Sequence, residues 1–268
     1  MLHDLAPIHE RPGGLLEAPR LTADGVVFSD VTGGVYCDGA TVVPKRRGVG
    51  GIVPHRDGGL VITGRTLLHG ERELLAGEGL AGFNDLTTTP GGDVLVGALR
   101  FHPFAGEAPV PSPLLRVTGP SEAEVISEEA LWPNGVGLAP GGDRVYLCDY
   151  AHAQVLTFSL DGSGAAVFCA SPRGGADGLA VDAEGGVWVA LWDGSALRRY
   201  APDGELTAEV ALPVTKPTCP AFGGPDLDVL YVTSARIGLT DDQLGAEPAG
   251  AVLAVSPGVR GLPANRFG

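Results

Sequence analysis

Short apolar stretches alternate along the chain with tight acidic or glycine turns, and the same phrase returns six times. Ala23-Asp24-Gly25 stands ahead of Val26-Val27-Phe28, and Arg56-Asp57-Gly58-Gly59 ahead of Leu60-Val61-Ile62. Pro90-Gly91-Gly92-Asp93 precedes Val94-Leu95-Val96, and Pro140-Gly141-Gly142-Asp143 precedes Val145-Tyr146-Leu147. Ala183-Glu184-Gly185-Gly186 precedes Val187-Trp188-Val189, and Pro225-Asp226-Leu227-Asp228 precedes Val229-Leu230-Tyr231-Val232. A period of roughly 33 to 50 residues made of strands and turns is that of propeller blades. One small sheet cannot bury both of its faces, so the six must pack around a common axis. The pattern predicts an all-β fold, a six-bladed β-propeller using residues 1–268 as a single domain.

No helical period lasts long; the best candidate, Thr240 to Ala246, is about two turns. Ala251-Val252-Leu253-Ala254-Val255 is predicted to be a late strand of the last blade. The arm before Glu17 is expected to complete that blade and close the ring, so that no bare edge is left.

Composition narrows the class. The 42 glycines and 22 prolines lie between strand-like runs, which argues against disorder. A net charge of −14, with only Lys45-Arg46-Arg47 as a basic cluster, argues against nucleic acid as a partner. That trio is expected on a solvated hairpin. No apolar run approaches the length of a membrane span. Met1-Leu2-His3-Asp4 shows no signal-peptide pattern, so a cytoplasmic address and no membrane partner are expected. Cys37, Cys148, Cys169 and Cys219 form no C-x-x-C pair and are expected to be thiols, with Cys148 a small buried hydrophobe.

The candidate chemistry stands where each innermost strand should meet the channel. Glu17, Asn84 with Asp85, Asn134 and Asp177 come from four repeats at comparable points. Carboxylates and amide carbonyls are hard oxygen donors suited to calcium, magnesium or manganese. The same residues also have a plain reading: Asn134-Gly135 and Asp177-Gly178 are turn dipeptides, and Asn84-Asp85 suits an Asx turn. The residues alone leave both readings open.

Their surroundings resemble the senescence marker protein, gluconolactonase and luciferin-regenerating enzyme family, the regucalcin-like six-bladed propellers. The resemblance runs from Glu17-Ala18-Pro19 to Gly250-Ala251-Val252-Leu253. It rests on the order and spacing of Asn134-Gly135 with Tyr146, of Asp177-Gly178 with Asp182-Ala183-Glu184-Gly185 and Trp188-Val189-Ala190, and of Phe222-Gly223-Gly224 with Tyr231-Val232-Thr233. It implies a metal site in the central channel, with Glu17, Asn134 and Asp177 as ligands and Asn84 near the substrate or on the metal. It also implies one divalent cation, most often Ca2+, with Zn2+, Mn2+, Mg2+ or Fe2+ as other possibilities, and a small-molecule lactone, commonly of a sugar acid, as substrate. Relatives that cleave organophosphates or other esters, and a non-catalytic calcium-binding regulatory propeller, are the alternatives.

The mechanism implied is metal-assisted lactone hydrolysis. Asp177 is the first candidate for handling the proton of the attacking water and Asp85 the second, although Asp85 is equally readable as a carboxylate that orients Asn84. Sugar-lactonase relatives often carry an arginine where this chain has Gly82. Arg100 is then the candidate donor to substrate hydroxyls, or else the substrate is less polar. Phe83, Phe101, Phe104, Trp132 and Trp192 are candidates for an apolar mouth, with Trp132 taken as a substrate contact. His102 and His152 are read as loop or edge residues near that mouth.

Overall fold

The computed structural model describes residues 14–37, 40–44, 46–171 and 173–268. Among them are six antiparallel sheets, five of four strands and one of three, in which each strand pairs with the next in sequence. The innermost strands are Leu16–Thr22, Ile52–Pro54, Gly82–Thr88, Pro133–Leu138, Gly175–Val181 and Pro217–Gly223, numbered here as blades 1 to 6. Each lies against the innermost strands of the blades on either side, and blade 6 returns to blade 1. The result is the six-bladed propeller foreseen from the turns, and each of the six turns joins the first and second strands of one blade.

Among the described residues, apolar side chains gather into six clusters, one at each junction between neighbouring blades. Val53, Leu67, Phe83 and Val96 join blades 2 and 3, and Trp188, Leu197, Leu230 and Leu253 join blades 5 and 6. Burial of this surface is the main favourable term in folding. Trp188 is fully enclosed, and its indole N–H donates to Asp182 Oδ2 at 3.0 Å. The same carboxylate accepts from Arg199 Nε at 2.7 Å and, through Oδ1, from the backbone N–H groups of Glu184 and Gly186. The Asp182-Ala183-Glu184-Gly185 motif is thus a folding corner of blade 5.

The seam between blades 6 and 1 has the smallest cluster: Leu16, Phe28 and Val252. Polar links supplement it. Thr218 Oγ1 donates to Leu16 O at 2.6 Å, Leu15 bridges Ala235, and Arg236 N donates to Gly14 O at 2.9 Å. The expected blade-closing arm otherwise falls on residues 1–13, outside the described residues. The late strand is Val252–Val255, third in blade 6.

A strap formed by residues 260–268 crosses one mouth of the channel. Gly261 bridges Asp182, Phe267 bridges His55 and is buried with the cluster of blades 2 and 3, and Gly268 N donates to Gly92 O. One α-helix is present among the described residues, Asp241–Ala246, where the sequence suggested it. Thr240 caps it and exchanges hydrogen bonds with Gln243, while Asp241 and Asp242 complement the positive end of its dipole. No helix among the described residues is long and apolar enough to cross a membrane.

Candidate functional site

The innermost strands share an irregularity that decides where chemistry sits. The ladder with the second strand shifts between Phe83 and Leu86, Pro133 and Val136, Ala176 and Leu179, and Pro217 and Pro220. In each, two residues face one on the partner strand, as in a β-bulge, and bulges re-aim side chains. The bulged pairs are Asn84-Asp85, Asn134-Gly135, Asp177-Gly178 and Thr218-Cys219. Three of the candidate residues therefore occupy the same register position in blades 3, 4 and 5.

Blade 1 departs from this. Its shift lies between Glu17 and Arg20, so Glu17 stands one position earlier than its counterparts. The next residue, Ala18, has a left-handed φ of 49°. That conformation is costly for alanine and turns the strand so that Glu17 still lines the shared cavity. In blade 2 the corresponding residues, Gly50 and Gly51, carry no side chain, and both N–H groups donate to Thr63 Oγ1. In blade 6 the Thr218 hydroxyl is bonded to Leu16 O and Thr233.

Gly135 and Gly178 are not turn residues. A Cβ on Gly135 would lie 2.4 Å from Leu179 N and 2.7 Å from Asp177 O. One on Gly178 would lie 2.5 Å from the Cα of Cys219. Both glycines let neighbouring innermost strands approach closely: Gly135 brings blades 4 and 5, and so Asn134 and Asp177, together, and Gly178 does the same for blades 5 and 6. The plain reading of these dipeptides as turns is corrected accordingly.

The cavity at the mouth opposite the strap has a volume of about 1030 Å³, and Glu17, Asn84, Asn134 and Asp177 all line it. Asn134 Nδ2 donates to Asp177 Oδ1. Asn84 Nδ2 donates to Pro133 O at 3.0 Å, which leaves its carbonyl oxygen free to face the cavity. Asp177 is buried, and its Oδ2 has no hydrogen-bond partner. Burial, then the neighbouring Asp85 carboxylate, pushes the Asp177 pKa well above the ordinary range. Glu17 is raised as well, by burial first and then by Asp177 and Asp85.

Asp85 is buried but does not line this cavity. Its Oδ1 accepts from Leu86 N at 2.8 Å and Arg20 Nη2 at 3.5 Å, and its Oδ2 has no partner. Burial lifts its pKa to about 6 against the opposing pull of Arg20. Arg20 itself lines the cavity at the opposite mouth, so this pair lies between the two mouths.

These observations bear on whether the cluster suits a cation. Among the described residues no three His, Cys, Asp or Glu side chains gather into a metal-holding group. The set is two carboxylates and two amides, all oxygen donors, which suits a hard divalent cation and not zinc held by nitrogen or sulfur. Mutually repelling carboxylates and an orphaned Asp177 Oδ2 are the unbalanced negative charge that a cation would neutralise. The residues fit.

The other expected contacts divide. Phe83, Phe104, Trp132, Trp192 and His102 line the cavity. Phe101 lies behind it, edge-on to Trp132 with centroids 5.1 Å apart. Arg100 is not brought to the cavity: its guanidinium pairs with Glu128 and donates to Pro111 O, so its assignment as a substrate donor is corrected. His152 pairs with Asp149 Oδ2 at 2.5 Å and does not line the cavity. Tyr150, not singled out from sequence, links Trp132 to Trp192 and completes an aromatic wall. It sits in a 3-10 turn directly after the second strand of blade 4. At Gly82 a Cβ would stand 3.0 Å from Gly64 O and 3.8 Å from the Cα of Arg65, so the Gly64-Arg65 loop fills that place. Cys148, Cys169 and Cys219 are free thiols, and burial raises the Cys148 and Cys219 thiols well above their ordinary range.

The sequence profile described as the SMP-30/Gluconolactonase/LRE-like region matches residues 24–236. The chain belongs to that family. Family relatives include an L-arabinolactonase of Azospirillum brasilense, 37% identical over 141 residues, covering 50% of this chain and 46% of the relative. A pentonolactonase of Haloferax volcanii is 31% identical over 197 residues, covering 69% of this chain and 65% of the relative. The matched stretches thus span about half to two thirds of these relatives' length. The fold matches that of a calcium-binding protein, regucalcin, from Agrobacterium tumefaciens, with a TM-score of 0.80, 24% identity and 98% of both chains covered.

Proposed function

We propose that the chain is a divalent-cation-dependent hydrolase that opens the lactone ring of a sugar acid. The observation that carries this reading is the orphaned, buried Asp177 Oδ2 among oxygen donors at the floor of an open cavity. The lactonases among its relatives support the choice of substrate class. Glu17, Asn134 and Asp177 would hold the cation, with Asn84 beside them. Calcium is the favoured ion, since the donors are all oxygen. Bound there, a cation supplies electrophilic polarisation of the lactone carbonyl.

The remaining steps belong to the chain. Asn134 fixes one oxygen of Asp177, leaving Oδ2 to take a proton as a water oxygen attacks the carbonyl carbon. The ring C–O bond then breaks, the proton passes to the departing alkoxide, and a hydroxy acid remains. Asp85, held away from the cavity, acts through its charge and its place beside Asn84 and not as the proton acceptor. Trp132, Tyr150 and Trp192 pack against the ring and exclude water from one side.

The test is lactone hydrolysis by chelator-stripped protein, with and without added Ca2+, Mn2+, Mg2+, Zn2+ or Fe2+, across pentono-, hexono- and aliphatic lactones. Turnover restored by a cation is expected. Cation binding without turnover of any lactone would overturn the assignment.

A pH effect follows from the carboxylates. In metal-free protein Asp85 is raised to about 6, and Glu17 and Asp177 are raised as well; unfolded carboxyl groups titrate near 4. A carboxyl with a raised folded pKa contributes stability that is full below the unfolded value and is lost as pH rises through the folded one. A cation that offsets this charge should therefore lift the melting temperature little at about pH 5 and much more at about pH 8. Thermal scans with and without Ca2+ at both values check this; equal lifts would show that the cation does not meet these groups.

A further inference from the structure

Arg47 and Arg65 line the cavity that holds Glu17 and Asp177, and among the described residues neither side chain has an ion-pair or hydrogen-bond partner. Arg100, Arg116, Arg173 and Arg199, by contrast, pair with carboxylates and do not line this cavity. The only carboxylates lining the cavity, among the described residues, are Glu17 and Asp177. Once a divalent cation offsets those two, the charge left on the wall is the pair of guanidinium groups.

The backbone that carries the two arginines is tied down, while their side chains are exposed at the cavity. Arg47 precedes Gly48, whose N–H donates to Val31 O at 2.8 Å. Arg65 follows Gly64, whose carbonyl accepts from Phe83 N at 2.8 Å, next to Asn84. The loops touch: a Cβ on Gly64 would lie 3.7 Å from Arg47 O and 3.4 Å from Arg46 Nη2. Arg46 stands behind them with its Nε buried and unpartnered. The opposite wall is the aromatic row of Trp132, Tyr150 and Trp192. Polar recognition therefore belongs to the arginine side. Guanidinium groups recognise phosphate, sulfonate and carboxylate through paired N–H donors, whereas neutral hydroxyls need no such charge.

Resting on the lactonase reading, we propose that the lactone taken by this site carries an anionic group at the end remote from its ring carbonyl, held by Arg47 and Arg65 with Arg46 behind them. Arg46 and Arg47 lie on the connection from the last strand of blade 1 to the first strand of blade 2, not on a hairpin as expected, and in this reading they face the substrate; Lys45 lies outside the described residues.

Matched pairs test this. D-Glucono-1,5-lactone is compared with its 6-phosphate, and D-glucono-1,4-lactone with D-glucaro-1,4-lactone, each corrected for spontaneous opening. A charge-assisted contact should favour the anionic member of at least one pair in kcat/KM by about tenfold or more. The preference should shrink as salt is raised and collapse in the double variant Arg47→Gln, Arg65→Gln. Which pair shows it tells phosphate from carboxylate recognition. Equal rates within both pairs, with lactones still turned over, would overturn the proposal and leave the lactonase reading standing. A second readout does not need turnover. Calorimetric titration should show 6-phosphogluconate or glucarate binding at least about tenfold tighter than gluconate in the wild type but not in the double variant. Equal binding would overturn the proposal; tighter anion binding without turnover of any lactone would instead remove only the lactonase reading.

Discussion

Asp177→Asn should lower kcat/KM by about 10³-fold or more, the scale expected when a metal ligand and a proton acceptor are lost together. The same substitution should raise the melting temperature of the metal-free protein. Asp177 is a buried carboxylate with one orphaned oxygen, facing repulsion from Asp85 and coupled unfavourably to Glu17. An amide of the same shape removes that charge and keeps a hydrogen-bonding group toward Asn134. The function and the stability of the empty fold thus pull in opposite directions at this residue. Activity assays, with thermal scans in chelator and in excess Ca2+, read both effects. A fall in metal-free stability would show that Asp177 is mainly a structural group; undiminished activity would remove it from the site.

Gly135→Ala is the second large effect, and it acts through backbone alone. The added Cβ would sit 2.4 Å from Leu179 N, whereas ordinary contact begins at 3.4 Å, so the innermost strands of blades 4 and 5 must part by about 1 Å. Overpacking of this kind costs about 3 kcal/mol. A displacement of that size at a reacting centre costs about 10²-fold in rate. Gly245→Ala is the control: it lies in the helix with nothing within 4 Å, and should leave stability unchanged or raise it slightly. Chemical denaturation of the two variants, with cation binding measured alongside, checks the contrast. If Gly135→Ala proved as harmless as Gly245→Ala, the close approach of the strands would not be what holds Asn134 against Asp177.

The blades were legible because a hairpin needs glycine or an acidic turn between two apolar runs, and each such turn falls at the first hairpin of a blade. The helix could be placed because Thr240 and Gln243 form a cap within one turn of chain. Asn84, Asn134 and Asp177 were readable because they recur in phase with the blades. Other features depend on contacts between distant segments. Arg100 looked available as a donor because its neighbours in sequence are loop residues, yet Glu128 lies 28 residues away and holds its guanidinium. The wall formed by Tyr150 is not visible in sequence because one of the rings it meets, Trp192, comes from the next blade. The place of Glu17, one position out of phase, follows from the left-handed backbone at Ala18, which composition does not announce. The role of Gly135 and Gly178 is invisible without the next blade, since what they accommodate is a neighbouring strand.

The bulged pairs act as interchangeable sockets. In blades 3 to 6 the first residue of the bulged pair is already released from the ladder, so exchanging it leaves the strand pairing of the blade intact. Two positions contribute nothing to the oxygen cluster: Gly50-Gly51 in blade 2, and Thr218-Cys219 in blade 6, where the hydroxyl is occupied by Leu16 O of blade 1 and by Thr233. They are not equally ready for use. A side chain at Gly50 would begin 2.8 Å from Asn84 Oδ1 and so compete with a neighbour's socket. Blade 6 has room for exchange only if the seam with blade 1 keeps its apolar cluster and other polar links once the Thr218 bond to Leu16 O is given up. A ring built this way can acquire a different reaction by changing what fills a socket, while the apolar clusters between blades stay as they are.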